Sequence, residues 1–163
     1  MADANNPGAA SGMINILWLN SAAEDWQSLW TIFERHERDL CPGMEWSLIA
    51  GSTWASAEKV MGEEAIPVVM CESEPEPQAG GWRELLDLIR ELPNPPVLIV
   101  TSRLADDRLW AEALNLGAYD VLAEPFNEAE VVRTVSRAWD HWNSNRKPIA
   151  RAASEATSDE SAA

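Results

Sequence analysis

Five short apolar runs, separated by segments with helical periodicity, constrain the fold of this chain more than any other feature of its sequence. The runs contain β-branched residues and do not alternate with polar ones, which is typical of strands whose two faces are both buried in a parallel sheet. In chain order, the runs predict strands β1 to β5 at Ile14–Leu19, Ser47–Ala50, Val68–Cys71, Val97–Val100 and Val121–Ala123.

Between these runs, apolar residues recur three and four positions apart, as they do along one face of an amphipathic helix. The stripes predict helices α1 to α5 around residues 26–33, 54–61, 82–89, 109–114 and 131–142. We expect the tryptophans on these stripes, including Trp30, to lie in the core. The expected N-cap residues are Thr53 or Ser52 for α2 and Asn127 for α5, and Gly117 is the expected end of α4. Asp106 and Asp107 are expected near the start of α4, where negative charge meets the positive end of the helix.

Strict alternation of strands and helices requires crossover connections, which place helices on both faces of a parallel sheet. Five such units are too few for a closed eight-stranded barrel. The sequence therefore predicts an α/β fold with a flavodoxin-like, doubly wound, five-stranded parallel sheet in the order 2-1-3-4-5, together with five helices. In that order, functional residues are expected where the carboxyl ends of the strands emerge.

The formal net charge of −15 disfavours binding to nucleic acid and to anionic membranes, because both partners are negatively charged. A basic protein partner remains open, and so does the simpler reading that the acidity keeps the protein in solution. The two cysteines, Cys41 and Cys71, form no CxxC pair for zinc, which fits a reduced cytoplasmic setting. No apolar stretch approaches the roughly 20 residues of a membrane span, and we expect no metal, no cofactor and no enzymatic activity.

Composition also divides the chain. Residues 1–12 are small and polar and are expected to form a flexible leader. Residues 13–142 contain all the predicted strands and helices and form the expected folded domain. Residues 143–163 are rich in alanine, serine and acidic residues, which predicts a disordered tail.

Two stretches near the end of the folded part, PPVLIVTS and LNLGAYDVLAEPF, resemble a bacterial response-regulator receiver domain. The resemblance extends over nearly all of residues 13–142 and implies the same flavodoxin-like fold. The family carries a Thr or Ser at the end of the fourth strand, then Gly-Ala, then Lys-Pro-Phe after the fifth strand. The matching residues here are Thr101, Gly117, Ala118, Pro125 and Phe126.

Other positions depart from the family pattern. Receivers carry an acidic pair after β1 that holds Mg²⁺, and the matching residues here are Asn20 and Ser21. The family's Lys before Pro125 is matched by Glu124, which reverses the charge, and the hydroxyl position is kept as Thr101. The pocket that the resemblance implies therefore lacks both its metal-binding carboxylates and its cation.

The phosphoryl-accepting Asp of the family follows β3, where this chain has Glu72. A rival alignment, based on Pro75, places Cys71 there instead; we prefer Glu72 because it keeps a carboxylate at the end of the strand. Glu72 has two readings. It either mimics a phosphorylated Asp and holds Thr101 in an active-like position, or it is a relic without a role.

Phosphoryl transfer to a carboxylate needs cations to neutralise the charge that develops on the transferred oxygens. We therefore expect a stand-alone, atypical receiver in two-component-type signal transduction that acts through a signalling protein partner. The alternative is a flavodoxin-like domain that binds a small ligand or accepts phosphate by an unconventional route. We expect Arg103 or water to compensate the charge of Glu72, and Trp139 and Trp142 to serve contacts, including a homodimer through the family's α4-β5-α5 face.

Overall fold

The five predicted strands form one parallel sheet in the computed structural model, which describes residues 12–19, 23–40, 44–51, 53–73 and 81–146. The order of the strands is β2-β1-β3-β4-β5, and every neighbouring pair is parallel. The predicted fold class is thus confirmed. The strands are β1 Met13–Leu19, β2 Glu45–Gly51, β3 Val68–Glu72, β4 Val97–Ser102 and β5 Asp120–Ala123.

Five helices connect and cover the strands, as predicted. A single helical turn, Glu37–Leu40, follows the first helix and is left unnumbered. The last helix ends at Asn145, three residues beyond the predicted limit of the folded part at residue 142. The predicted leader, apart from Gly12, and the predicted tail beyond Arg146 lie outside the described residues. The helices are α1 Ala23–Arg35, α2 Trp54–Glu63, α3 Trp82–Arg90, α4 Asp107–Leu116 and α5 Glu128–Asn145.

The central strands are buried on both faces, which explains their uninterrupted apolar runs. Along β3, Val69 and Cys71 face one hydrophobic cluster, which α2, α3 and α4 cover. Val68 and Met70 face a second cluster, which α1 and α5 cover. The sheet is therefore the middle of three layers, and the ends of its strands are the part that the helices leave accessible.

One tryptophan that we predicted in the core is exposed. Trp30 on α1 is 44% exposed, and it stacks on Trp26 with 6.2 Å between the ring centroids. The expectation for this side chain was wrong. Leu114 on α4 is also exposed, at 45%, because α4 lies towards the edge of the sheet and buries one residue fully, Ala113.

The predicted caps Thr53, Asn127 and Gly117 are confirmed, and Asp106, predicted only near the start of α4, is its N-cap. The Thr53 hydroxyl accepts a hydrogen bond from the Ser56 amide at 3.1 Å. Asp106 accepts one from the Leu109 amide at 2.9 Å, and Asn127 accepts one from the Glu130 amide at 3.1 Å. Gly117 ends α4 with a left-handed backbone, at φ 112°. Ser52, the alternative cap of α2, lies outside the described residues.

An ion-pair cluster ties the end of α1 to the start of α5. The Glu128 carboxylate is 2.7 Å from His36 Nε2 and 3.1 Å from Arg35 Nη1. Hydrogen bonds to Asp39 and Glu128 raise the pKa of His36. This cluster fixes the first turn of α5, which follows directly after the β5 loop. None of the helices within the described ranges combines the length and the apolar character needed to cross a membrane.

Replacing Gly117 with alanine is expected to lower the free energy of unfolding by about 1 kcal/mol or more, because a left-handed backbone conformation is unfavourable for an L-residue with a Cβ atom. The new Cβ would also come within 2.7 Å of Arg90 Nη2, although this flexible side chain can move away. Urea denaturation of both proteins measures the difference.

Gly62→Ala is the matched control, since that glycine lies in α2 and an added Cβ meets nothing within 4 Å. It is expected to stabilise the protein by up to about 1 kcal/mol. Equal effects of the two substitutions would show that the conformation of Gly117 does not matter.

Candidate functional site

Three of the side chains singled out by the sequence meet at the carboxyl ends of β3, β4 and β5, which we call the carboxyl edge. Glu72 is the last residue of β3 and pairs in register with Thr101. Glu124 follows β5, and its amide donates a hydrogen bond to the Ser102 carbonyl at 2.9 Å. These bonds between parallel strands bring Glu72, Thr101 and Glu124 to one end of the sheet.

Asn20 and Ser21 lie outside the described residues. The strand that precedes them ends at Leu19, which pairs in register with Cys71 of β3. The carboxyl end of β1 therefore adjoins that of β3, as the strand order predicts.

Cys71 is unsuited to chemistry at the carboxyl edge. Its side chain is buried in the cluster beneath α2, α3 and α4. Burial, and to a smaller extent the charge of Glu72, raises the pKa of its thiol to about 12. Glu72 is half-buried at the end of the strand. Glu72 is thus the more accessible of the two candidates for the acceptor position, and the choice between the two alignments stays a prediction.

Glu124 is the most unusual residue of the carboxyl edge. Its side chain is 1% exposed, and neither carboxylate oxygen has a hydrogen-bond partner among the described residues. The hydroxyl of Thr101 is also buried and without such a partner. Burial raises the pKa of Glu124, and the charge of Asp25 adds to the increase, while the nearby Thr101 hydroxyl and Arg103 act in the opposite direction. The peptide bond between Glu124 and Pro125 is cis.

Arg103 supplies the positive charge beside this carboxylate. Its Nε atom is 3.6 Å from Glu124 Oε2, and its Nη2 atom is 3.6 Å from Asp25 Oδ2. This pairing of Arg103 with Glu124 was not predicted, and the predicted compensation of Glu72 by Arg103 or water stays a prediction. We call Asp25, Thr101, Arg103 and Glu124 the Glu124 site.

Asp25 was not among the residues predicted from sequence. It lies in the first turn of α1, where an acidic residue is common for purely helical reasons. Its side chain is only 13% exposed, and its Oδ2 atom is 3.6 Å from Arg103 Nη2. The one sequence signal for it is its closeness to the end of β1, and that signal does not separate it from neighbouring Glu24.

The described residues do not fit the Mg²⁺ that the receiver resemblance implies. Such an ion takes several oxygen ligands at about 2.1 Å in near-octahedral geometry. Within the part of the chain that the structure describes, no group of three or more His, Cys, Asp or Glu side chains is arranged to hold a metal ion. The Glu124 carboxylate also faces a guanidinium already, and a divalent cation would have to displace it.

Trp139 and Trp142 lie on α5 away from this site, and both are half-buried. Trp142 lines a groove of about 470 Å³ beside the start of β4 and the residues before β5, at the amino ends of the strands. The Arg146 guanidinium lies over its ring at 5.6 Å from the centroid. Partial exposure is compatible with the predicted contacts, and the interface itself stays a prediction.

Known structures share this fold. The signal receiver domain of an HD domain-containing protein from Pseudomonas fluorescens Pf-5 is similar with a TM-score of 0.66 and 20% identity, over 83% of this chain and 93% of that one. The beryllofluoride-activated NtrC4 receiver domain dimer gives a TM-score of 0.65 and 22% identity, over 78% and 98% of the two chains. The receiver domain of a LuxO repressor protein described as putative, from Vibrio parahaemolyticus, gives 0.62 and 15%, over 80% and 93%. The chain thus has the fold of response-regulator receiver domains.

Sequence comparisons add less. No protein-family model matches the chain. Protein CcdB of Bacillus subtilis (strain 168) is 34% identical over 65 residues, which are 40% of this chain and 53% of that protein. The chain thus spans about half the length of this curated relative, and the likeness does not assign it an activity.

Glu124→Gln is expected to stabilise the protein at neutral pH. Because burial raises the pKa of this carboxyl, the unfolded chain loses the proton first as the pH rises, and the folded state is then penalised for carrying the charge. The gain in free energy of unfolding should be absent below the ordinary glutamate pKa of about 4.3, and should grow to about 1 kcal/mol or more by pH 8. Urea denaturation at several pH values measures it.

Glu128→Gln provides a control of opposite sign. The hydrogen bond from His36, helped by Arg35, lowers the pKa of Glu128, so its contribution is present at neutral pH and lost as the pH falls through its lowered pKa. This variant should be less stable than the wild type at neutral pH. If Glu124→Gln also destabilised the protein at pH 8, the charge of Glu124 would have to be well compensated in the folded state.

Proposed function

We propose that this chain is a receiver-like signalling domain in two-component-type signal transduction, which acts by contacts with other proteins and does not take part in aspartyl phosphorylation. The observation that carries the proposal is the buried carboxylate of Glu124 at the position where the receiver family has a lysine. The fold supplies the class of domain, and the chemistry of this one position separates the chain from receivers that accept phosphate.

The electrostatics of the carboxyl edge support the proposal. A phosphoryl group arriving there would bring more negative charge beside Glu72 and Glu124. Lysine and a metal ion neutralise such charge in transferases of this general kind. Here the neighbouring cation is Arg103, whose guanidinium is 65% exposed and already faces both Asp25 and Glu124. Transfer of phosphate onto Glu72 is therefore disfavoured.

A signalling protein is the partner that the surface supports best. The net charge of −15 opposes nucleic acid and anionic membranes, and attracts a basic protein surface. The free, buried thiol of Cys71 is compatible with a reducing cytoplasm. A homodimer through α4, β5 and α5 is supported by the exposed Leu114 on α4 and by the dimeric NtrC4 receiver with the same fold.

Incubation with acetyl phosphate and Mg²⁺, followed by measurement of the intact mass, tests the proposed function. We expect the mass to stay unchanged, because Glu124 takes the place of the family's lysine and the described residues contain no group arranged to hold the metal ion that phosphoryl transfer needs. A receiver domain with the complete phosphorylation site, treated in parallel, shows that the reagent is active. A gain of one phosphoryl group would overturn the proposal and favour phosphate acceptance by an unconventional route.

The dimer and the role of Glu72 are tested together by sedimentation equilibrium. Leu114→Glu should weaken self-association at least about tenfold, because it places a charge within an apolar contact. Glu72→Gln keeps the size of the side chain and removes its charge, so it should also weaken the dimer if Glu72 mimics a phosphorylated Asp.

Glu63→Gln, at the end of α2 away from this face, is the control for loss of one negative charge and should leave the dimer unchanged. A monomeric wild-type protein would remove the homodimer from the proposal. A dimer unaffected by Glu72→Gln would identify Glu72 as a relic.

A further inference from the structure

The Glu124 site contains three buried oxygen atoms that lack hydrogen bonds within the described residues: Thr101 Oγ1 and both carboxylate oxygens of Glu124. Leaving a buried carboxylate without hydrogen bonds costs free energy, and buried charges in proteins are normally paired with a close donor. The same carboxylate makes an ion pair with Arg103, so the site already selects for positive charge. Among the described residues, no donor makes a full hydrogen bond to these oxygens, although the Thr101 hydroxyl is near enough to lower the pKa of Glu124.

Arg103 fills this role incompletely. Both of its N···O distances are 3.6 Å, which is beyond the roughly 2.7–3.2 Å of a hydrogen bond. Its side chain is 65% exposed, and it belongs to a turn between β4 and α4 whose next residue, Leu104, is also exposed. Arg103 is thus the exposed member of a pair whose Glu124 carboxylate is buried, and its departure into water alone would leave that charge unpaired. Exchange for another guanidinium that makes closer hydrogen bonds would avoid this cost.

We propose that the Glu124 site binds the guanidinium group of an arginine on a protein partner, which takes the place of Arg103. This inference rests on the proposed function, since it names the chemistry by which a partner would recognise the domain. The incoming group would donate charge-assisted hydrogen bonds to Glu124 and Asp25 at distances that Arg103 does not reach.

The arrangement of the two carboxylates favours a guanidinium over other cations. Asp25 on α1 and Glu124 after β5 face different nitrogen atoms of the same planar group. A guanidinium offers donors in such a fork, whereas an ammonium is a single compact charge. A divalent metal ion would need more ligands than the described residues bring together. The acidity of the whole chain would also speed the approach of a basic partner.

Methylguanidinium chloride is the probe for this inference, and NMR titration of the ¹⁵N-labelled full chain is the measurement. The Arg103→Ala substitution removes the guanidinium that occupies the Glu124 site. In this variant we expect saturable shifts of the Thr101 and Glu124 amides, and binding at least about tenfold tighter than in the wild type, where Arg103 competes. Arg103→Gln, which keeps most of the side-chain length, repeats the test if the alanine variant does not fold.

Two further variants make the result specific. Arg108→Ala removes the same charge from an exposed position on α4, and should bind the probe no better than the wild type. Glu124→Gln combined with Arg103→Ala should abolish the saturable shifts. Methylammonium chloride and magnesium chloride, at matched ionic strength, should shift these amides at least about tenfold less than methylguanidinium at the same concentration.

Lack of saturable binding to Arg103→Ala, or equal binding by Arg108→Ala, would overturn the inference. Equal binding of methylammonium or of magnesium would overturn the assignment to a guanidinium. These outcomes are independent of the acetyl phosphate experiment. An unchanged mass with no guanidinium binding would leave the proposed function in place and remove only this mode of recognition.

Discussion

Burial of the parallel sheet on both faces is the constraint on which the rest of this structure depends. It accounts for the apolar runs, since neither face of the central strands meets water. Because the strands are parallel, their carboxyl ends also lie at the same edge of the sheet. The side chains that follow the strands come together there. Glu124 comes to be buried for that reason: the end of β5 holds it against β4 through the bond to the Ser102 carbonyl.

This chain thus combines the receiver fold with a carboxyl edge that has a glutamate, Glu124, where the receiver pattern has a lysine. In place of a cation that would stabilise an arriving anion, the edge presents a buried anion, Glu124, that raises the cost of negative charge nearby. Arg103 reduces this cost without removing it, because its nitrogen atoms stay 3.6 Å from the carboxylates of Asp25 and Glu124. The fold alone therefore does not establish a function, and the proposed one rests on this site.

Much of this organisation could be predicted from the sequence, because strands buried on both faces and capped helices leave local signals. The beginning of β2 was missed since it is an edge strand, and its polar Glu45 breaks the apolar run. The burial of Trp30 was predicted wrongly because a helical stripe shows that a helix is amphipathic but not how wide a face the neighbouring layer covers. The pairing of Arg103 with Glu124 and Asp25 had no local signal, because it joins three elements far apart in the chain.

Helix α5 begins at Glu128, four residues after Glu124, and its 18 residues run to Asn145. At 1.5 Å per residue the helix is about 27 Å long, and its far end lies beside the groove at the amino ends of the strands. A dye, an affinity handle or a surface tether fixed to Asn145 would accordingly sit across the full depth of the molecule from Glu124. If the domain were immobilised through Asn145, the carboxyl edge with Glu124 would face the solution.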